Sequence, residues 1–203
     1  QLGHALPRLL DAEPPGGERG LDLLRRALAE TELPPSVWQP THVNRRRSLF
    51  DEACDLGAHG VPIDVTAFPV AEGEDAWSAA GAVRRWLDRG LPADRLTVST
   101  DAGGCLPVFD EAGRVASMDV GSLGALASTL QELLAAGVPL ERALPCFTSN
   151  PATILRLTAK GRIAPGADAD LVVLDDDGVV TDVMARGRWH LSEGASVVKS
   201  PFA

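Results

Sequence analysis

The sequence predicts an α/β protein in which parallel strands alternate with helices, followed by a short all-β segment. Three observations carry that prediction. Strand-length apolar runs at 36–43, 61–68 and 96–101 alternate with helix-period stretches at 48–57 and 75–88, which is the βαβ pattern. The third of these strands alternates Leu96 and Val98 with Thr97 and Ser99, ends in Asp101 and breaks over Gly103-Gly104. A carboxylate at the C-terminal end of a strand, before a glycine-rich turn, is where α/β barrels put their chemistry. From Lys160 onward, turn residues recur every few positions with β-branched runs between them, the texture of short antiparallel strands.

Taken in order, the chain opens with 1–20, where prolines and glycines oppose a long element. A helix is predicted over 21–29, with Leu21, Leu24 and Leu28 on one stripe, and Pro34-Pro35 stops it. The first strand ends in Thr41-His42-Val43. Arg45, Arg46 and Arg47 follow, with the latter two read as a solvated basic patch. In the helix over 75–88, Trp77, Ala80, Val83, Trp86 and Leu87 are the expected inner face. A hairpin is expected over 109–120, turning at 111–113. Ser122 is the expected cap of a helix whose buried stripe is Leu123, Leu126, Leu130, Leu133 and Leu134. Shorter helices follow at 140–144 and after Asn150, where Pro151 sits in the first turn. The last strands are expected at 170–174, 179–185, 188–191 and 196–198. The domain reading is 1–158 for the α/β part and 159–203 for the β segment.

Composition narrows the function. At 203 residues, 45% hydrophobic and 23% charged, the chain can bury a substantial core. A net charge of −9 argues against nucleic acid and anionic membrane surfaces as partners. Cys54, Cys105 and Cys146 are far apart and match no metal spacing, so reduced thiols are expected. No apolar run reaches membrane length and no signal peptide is visible, so a cytoplasmic location is expected.

Four stretches, PTHVNR (40–45), GVPIDVTAF (60–68), VSTDAGGCLPVFDEAG (98–113) and TSNPATILRLTAKGRIAPGADADLVVLD (148–175), resemble the metal-dependent amidohydrolase superfamily. Within it they are most similar to the isoaspartyl dipeptidase (β-aspartyl peptidase) family. The tail marks only the superfamily, whereas the first and third stretches together are narrower. The resemblance covers about residues 20–200 and matches the C-terminal part of that family. It implies part of a (β/α)8 TIM-like barrel, about strands five to eight, plus a small terminal β-sandwich segment. It also implies zinc, binuclear in the family, with a metal-bound hydroxide attacking the amide of an isoaspartyl dipeptide.

Residue by residue, the resemblance makes His42 a zinc ligand, and imidazole suits zinc. Asp101 would contact the metal and act as the catalytic proton carrier. Arg45 would hold a substrate carboxylate, a task suited to a guanidinium fork. Cys105 would line the substrate pocket, with Gly103 and Gly104 letting the loop pass close to the substrate. Asp64 is read as a structurally paired strand residue, His59 as a surface cap, His190 as remote from the chemistry, and Cys54 and Cys146 as core thiols.

The departures from the family are specific. An H-x-H pair and a barrel lysine have no counterpart here: the only lysines are Lys160 and Lys199, and the chain has no Tyr. The family's strand-five histidine has Arg8-Leu9-Leu10-Asp11 as its nearest match, with His4 close but out of pattern. The chain is therefore expected to be an excerpted, truncated or split product, to supply its missing part from another chain, or to form a homo-oligomer. Two rival readings stand beside a β-aspartyl dipeptidase. One is another amidohydrolase of the dihydroorotase, hydantoinase or N-acyl-amino-acid hydrolase kind. The other is a non-catalytic remnant or assembly partner.

Overall fold

The computed structural model describes residues 8–11, 17–110 and 114–198, with 8–11, 17–19, 105–109 and 119 described by their backbone. The α/β part begins with strand β1 (Arg8–Asp11), a strand within the stretch expected to be irregular. Helix α1 (Gly17–Glu30) starts four residues before its predicted beginning. Strand β2 (Trp38–Thr41) follows, then helix α2 (Arg47–Ala58), strand β3 (Ile63–Thr66), helix α3 (Ala79–Asp88) and strand β4 (Leu96–Ser99). β2, β3 and β4 are each shorter than predicted, and the flanking residues leave the strand, as in the single 3-10 turn Pro35–Val37 that leads into β2.

Two of the helix-connected strand pairs share a ladder, and both ladders are parallel. β1 pairs with β2 from Arg8 opposite Trp38 to Asp11 opposite Thr41. β3 pairs with β4 from Ile63 opposite Leu96 to Thr66 opposite Ser99. β2 and β3 lie side by side without a shared backbone ladder and are linked by side chains instead.

Strand alternation sorts apolar from polar. Ile63, Val65, Leu96 and Val98 enter the core with Leu21 and Leu24 of α1, Leu49 and Phe50 of α2, and Val83 and Trp86 of α3. The alternate positions, Gln39, Thr41, Asp64, Thr66, Thr97 and Ser99, are polar and bond largely to one another. Trp86 is fully buried, and its indole N–H donates to the Pro92 carbonyl at 3.0 Å. Its ring lies against Gly57, where an added Cβ would sit 2.1 Å from Trp86 Cη2. Trp77 precedes α3 rather than lining it, because Ser78 caps that helix, its Oγ accepting from the Gly81 N–H. The guanidiniums of Arg47 and Arg85 both lie over the Trp77 ring, their Cζ atoms 4.5 and 3.6 Å from its centroid. Arg47 is thus a packing residue.

Strands β5 (Cys105–Phe109) and β6 (Val115–Val120) form the expected antiparallel hairpin, whose 111–113 turn lies outside the described residues. Helix α4 (Ala125–Ala135) begins later than predicted. The Ser122 hydroxyl accepts from the Gly124 N–H at 3.3 Å in the turn before it, and Leu123, also in that turn, is 83% exposed. The buried stripe therefore starts at Leu126 and centres on Leu130 and Leu133. Helix α5 (Leu140–Ala143) and helix α6 (Ser149–Ile154) complete this part. The buried Asn150 side chain of α6 donates to the Ala93 and Leu96 carbonyls at 2.7 and 2.8 Å, anchoring the entry to β4.

The remaining strands, β7 (Leu171–Leu174), β8 (Val180–Ala185), β9 (Arg188–Ser192) and β10 (Ala195–Ser196), form one antiparallel sheet in the order β10-β9-β8-β7. Just before β7, Asp168 at 2.9 Å and Asp170 both pair with Lys160.

Candidate active site

The C-terminal ends of β2, β3 and β4 converge, and each carries a polar side chain toward the same cleft. His42 directly follows β2, and its ring is mostly covered, at 13% exposure. Its Nδ1 lies 2.8 Å from Thr66 Oγ1 at the end of β3. With that nitrogen engaged, Nε2 is left facing the cleft, and Asp101 Oδ2 lies 4.0 Å from it. Asp101 follows β4 by two residues. Arg45, from the 3-10 turn Val43–Arg45, brings its Nη2 to 3.8 Å from the same carboxylate oxygen. Its guanidinium also lies over the Phe68 ring, 5.1 Å from the centroid. The three residues singled out in the sequence for chemistry therefore meet around one oxygen atom. Part of this mouth is a cleft of about 320 Å³, lined by His42, Asp64, Ser99 and Asp101 opposite Pro151 and Ile154 of α6.

Both His42 and Asp101 have left-handed backbone, with φ of 60° and 50°. Such a conformation costs a non-glycine residue about 1–2 kcal/mol and persists only where its surroundings enforce it. Around His42, enforcement comes from Asn44. This buried amide donates to the Thr66 and Trp77 carbonyls at 2.9 and 2.8 Å, and its Oδ1 accepts from the Thr66 N–H at 2.8 Å. Around Asp101, it comes from glycine backbone. The Gly104 N–H donates to the Asp101 carbonyl at 2.9 Å, and the Gly103 N–H donates to Gly121 O at 3.3 Å. A Cβ at Gly104 or Gly121 would stand 2.8 or 2.7 Å from the Asp101 carbonyl oxygen. Gly104 was expected to make room for substrate; what it makes room for here is the Asp101 backbone. Gly103 has φ of +84°, the conformation for which glycine is suited. Cys105 opens β5 opposite Val120, and its side chain lies outside the described residues, as does His4.

Asp64 is more than a paired strand residue. It is 5% exposed, and its three side-chain partners are hydroxyls: Thr41 and Ser99 donate to Oδ2 at 2.7 and 2.6 Å, and Thr97 donates to Oδ1 at 2.6 Å. Burial pushes this carboxyl above its ordinary range, against the three hydroxyl bonds and the nearby His42, which pull it down. Sequence reasoning missed Asn44, Thr66 and Gly121. Asn44 lies inside the PTHVNR stretch, where an uncharged amide beside His42 and Arg45 drew no attention. His59 caps α2 as expected, its Nδ1 2.7 Å from the Asp55 carbonyl, and His190 lies in β9.

Among the described residues, no group of three His, Cys, Asp or Glu side chains is gathered as a metal cage. The donors present do suit zinc, which takes mixed imidazole and carboxylate sets. His42 also has the supported Nδ1 that orients a ligating ring. His42 and Asp101 fit as part of such a set.

Residues 36–190 match the model of the amidohydrolase family. The chain belongs to the amidohydrolase family. Among solved structures, the beta-aspartyl dipeptidase of Fervidobacterium islandicum AW-1, in complex with the beta-Asp-Leu dipeptide, is 31% identical with a TM-score of 0.84. That match covers 96% of this chain and 50% of that one. The D-hydantoinase (dihydropyrimidinase) of Thermus sp. shares the fold at 18% identity, with a TM-score of 0.60 over 92% of this chain and 51% of that one. A curated deacetylase from Brucella anthropi is 34% identical over 136 residues, which are 63% of this chain and 27% of the deacetylase. The chain thus spans about half the length of these solved structures and about a quarter of the deacetylase. Within the described residues, no helix is long and apolar enough to cross a membrane.

Proposed function

We propose that this chain carries the C-terminal part of a TIM-like barrel that hydrolyses β-aspartyl dipeptides with zinc. The observation that carries the reading is the convergence of His42, Arg45 and Asp101 at one strand-end mouth. It is supported by 31% identity to a beta-aspartyl dipeptidase solved with beta-Asp-Leu. His42 and Asp101 would hold zinc, with the family's further ligands coming from outside the matched strands. When bound, zinc supplies Lewis acidity, which polarises the amide carbonyl and makes water more acidic. Arg45 binds a carboxylate of the dipeptide, held in place by its stacking on Phe68. Asp101 takes a proton from the attacking water and delivers it to the departing amine as the C–N bond breaks. Its carboxylate is about two-fifths exposed, so it can reach solvent and substrate.

The test is hydrolysis of β-Asp-Leu by the purified protein with added zinc, with α-Asp-Leu as the control. Turnover of the β isomer that is lost in His42→Ala and Asp101→Asn supports the reading. A second reading, hydrolysis of an N-acyl amide, is favoured by the likeness to the Brucella anthropi deacetylase. Turnover of N-acetyl amino acids without turnover of β-Asp-Leu would establish it in place of the first. Zinc-loaded protein inert toward both substrate classes, both alone and with the remaining part of the barrel supplied as a second chain, would remove the catalytic assignment.

A further inference from the structure

The strand-end mouth leaves one buried group without a stated task, the Asp64 carboxylate in the middle of β3. Its position is unusual because each of its neighbours leads to a different part of the site. Thr41, which donates to Oδ2 at 2.7 Å, immediately precedes His42. Ser99, which donates to the same oxygen at 2.6 Å, stands two residues before Asp101. Thr97 donates to Oδ1 at 2.6 Å and in turn accepts from Gln39 Nε2 at 2.9 Å, two residues further from the mouth. Thr41 reaches Asp64 between β2 and β3, where no backbone ladder holds the strands in register. Both residues beyond the tethers have left-handed backbone, which is strained for a non-glycine residue.

We infer that Asp64 is a positioning residue whose one Oδ2 atom, bonded to Thr41 and Ser99, sets the separation of His42 and Asp101. Hydroxyls are suited to this task. They are short and nearly rigid on a strand, and a carboxylate oxygen accepts two of them at once. The Thr97 bond is made to the other oxygen and leads on to Gln39, away from the mouth. The inference deepens the function proposed above and rests on that reading of His42 and Asp101.

The test compares Thr41→Val, Ser99→Ala, Thr97→Val and Asp64→Asn in the full protein. Thermal melting reports the structural loss, which all three hydroxyl variants share. Positioning is read in two other ways. Histidine side-chain ¹H–¹⁵N spectra, recorded without and with added zinc, follow His42 against His4, His59 and His190. We expect the His42 signal to broaden or double in Thr41→Val and Asp64→Asn and to stay single in Thr97→Val. With β-Asp-Leu, kcat falls about tenfold in Thr41→Val and Ser99→Ala, in line with the usual cost of losing an outer support. KM stays within about twofold, and Thr97→Val keeps its kcat despite its lowered Tm. The inference is overturned if Thr97→Val lowers kcat as much as the other two, or if His42 is unmoved in Thr41→Val. Should the unmutated protein fail to hydrolyse β-Asp-Leu, the substrate assignment fails on its own, and the His42 spectra decide the positioning role.

Discussion

Asn44 offers the sharpest test of how the site is held. Its amide makes three buried bonds, two donated to the Thr66 and Trp77 carbonyls and one accepted from the Thr66 N–H, all between 2.8 and 2.9 Å. Asn44→Ala leaves the Thr66 N–H and the Trp77 carbonyl without that partner, while the Thr66 carbonyl keeps a bond from the Phe68 N–H at 3.2 Å. At about 1–3 kcal/mol for each of the two orphaned buried groups, the loss is about 2–6 kcal/mol. For a chain of this size that lowers Tm by about 4–24 °C. Asn44→Asp is nearly isosteric, yet it is the worse substitution. It keeps the acceptor for Thr66 N–H and turns the donor into an oxygen facing two carbonyl oxygens. Burying its charge, or protonating it at neutral pH, adds a further cost. The expected order of stability is therefore wild type, then Ala, then Asp, measured by urea unfolding at pH 7. An Asp variant as stable as wild type, or more stable than Ala, would refute the donation to both carbonyls and the support of His42 argued from it.

Three further outcomes are expected. Gly121→Ala, whose Cβ would meet the Asp101 carbonyl at 2.7 Å, should cut turnover of β-Asp-Leu at least tenfold with a modest change in Tm; unchanged kinetics would mean the Asp101 loop is not held as described. Burial pushes the Cys54 thiol up to about 11 and the Cys146 thiol up to about 12, so at pH 8 neither should react with a thiol reagent until the protein unfolds, as peptide mapping of the labelled sites would show. Asp170 is held below its ordinary value of 3.8, first by its bond from Lys160 and then by the Arg186 N–H. Its stabilising contribution is present above pH 3.8 and is lost as pH falls through the lowered folded value, so the Tm gap between wild type and Asp170→Asn should close on acidification; a widening gap would contradict the sign. Asp64 runs the other way: burial raises its folded value above 3.8, so its contribution declines as pH rises from there.

Much of the fold was legible because it is written in alternation. Leu96 and Val98 against Thr97 and Ser99, or Ile63 and Val65 against Asp64 and Thr66, mark both strands and both of their faces. The hairpin and the last sheet announced themselves through turn residues between β-branched runs. By contrast, β1 is four residues long between proline-containing stretches, and it becomes a strand through its pairing with β2, which no local signal carries. At the site, His42, Arg45 and Asp101 could be found by motif. Their convergence on one oxygen, and the supports that produce it, depend on contacts between residues more than 20 positions apart, such as Asn44 with Thr66. Ser122 and Leu123 show the opposite failure: helix period and cap chemistry both pointed to them, yet the backbone spends those residues on a turn.

The contact between Gly57 and Trp86 bears on how this sequence can drift. The indole occupies the space that a side chain at position 57 would need, so the two residues form a lock in which each constrains the other. Neither can change alone without loss: a methyl group at 57 collides with the ring, and a smaller residue at 86 leaves a void. A paired exchange, Gly57→Ala with Trp86→Leu, meets both demands in part and should cost less than the sum of its single steps. Relatives of this chain are therefore expected to vary at these two positions together or at neither. The spacing of α2 and α3, behind the strands that carry His42 and Asp101, would then be an inherited dimension that outlasts either residue.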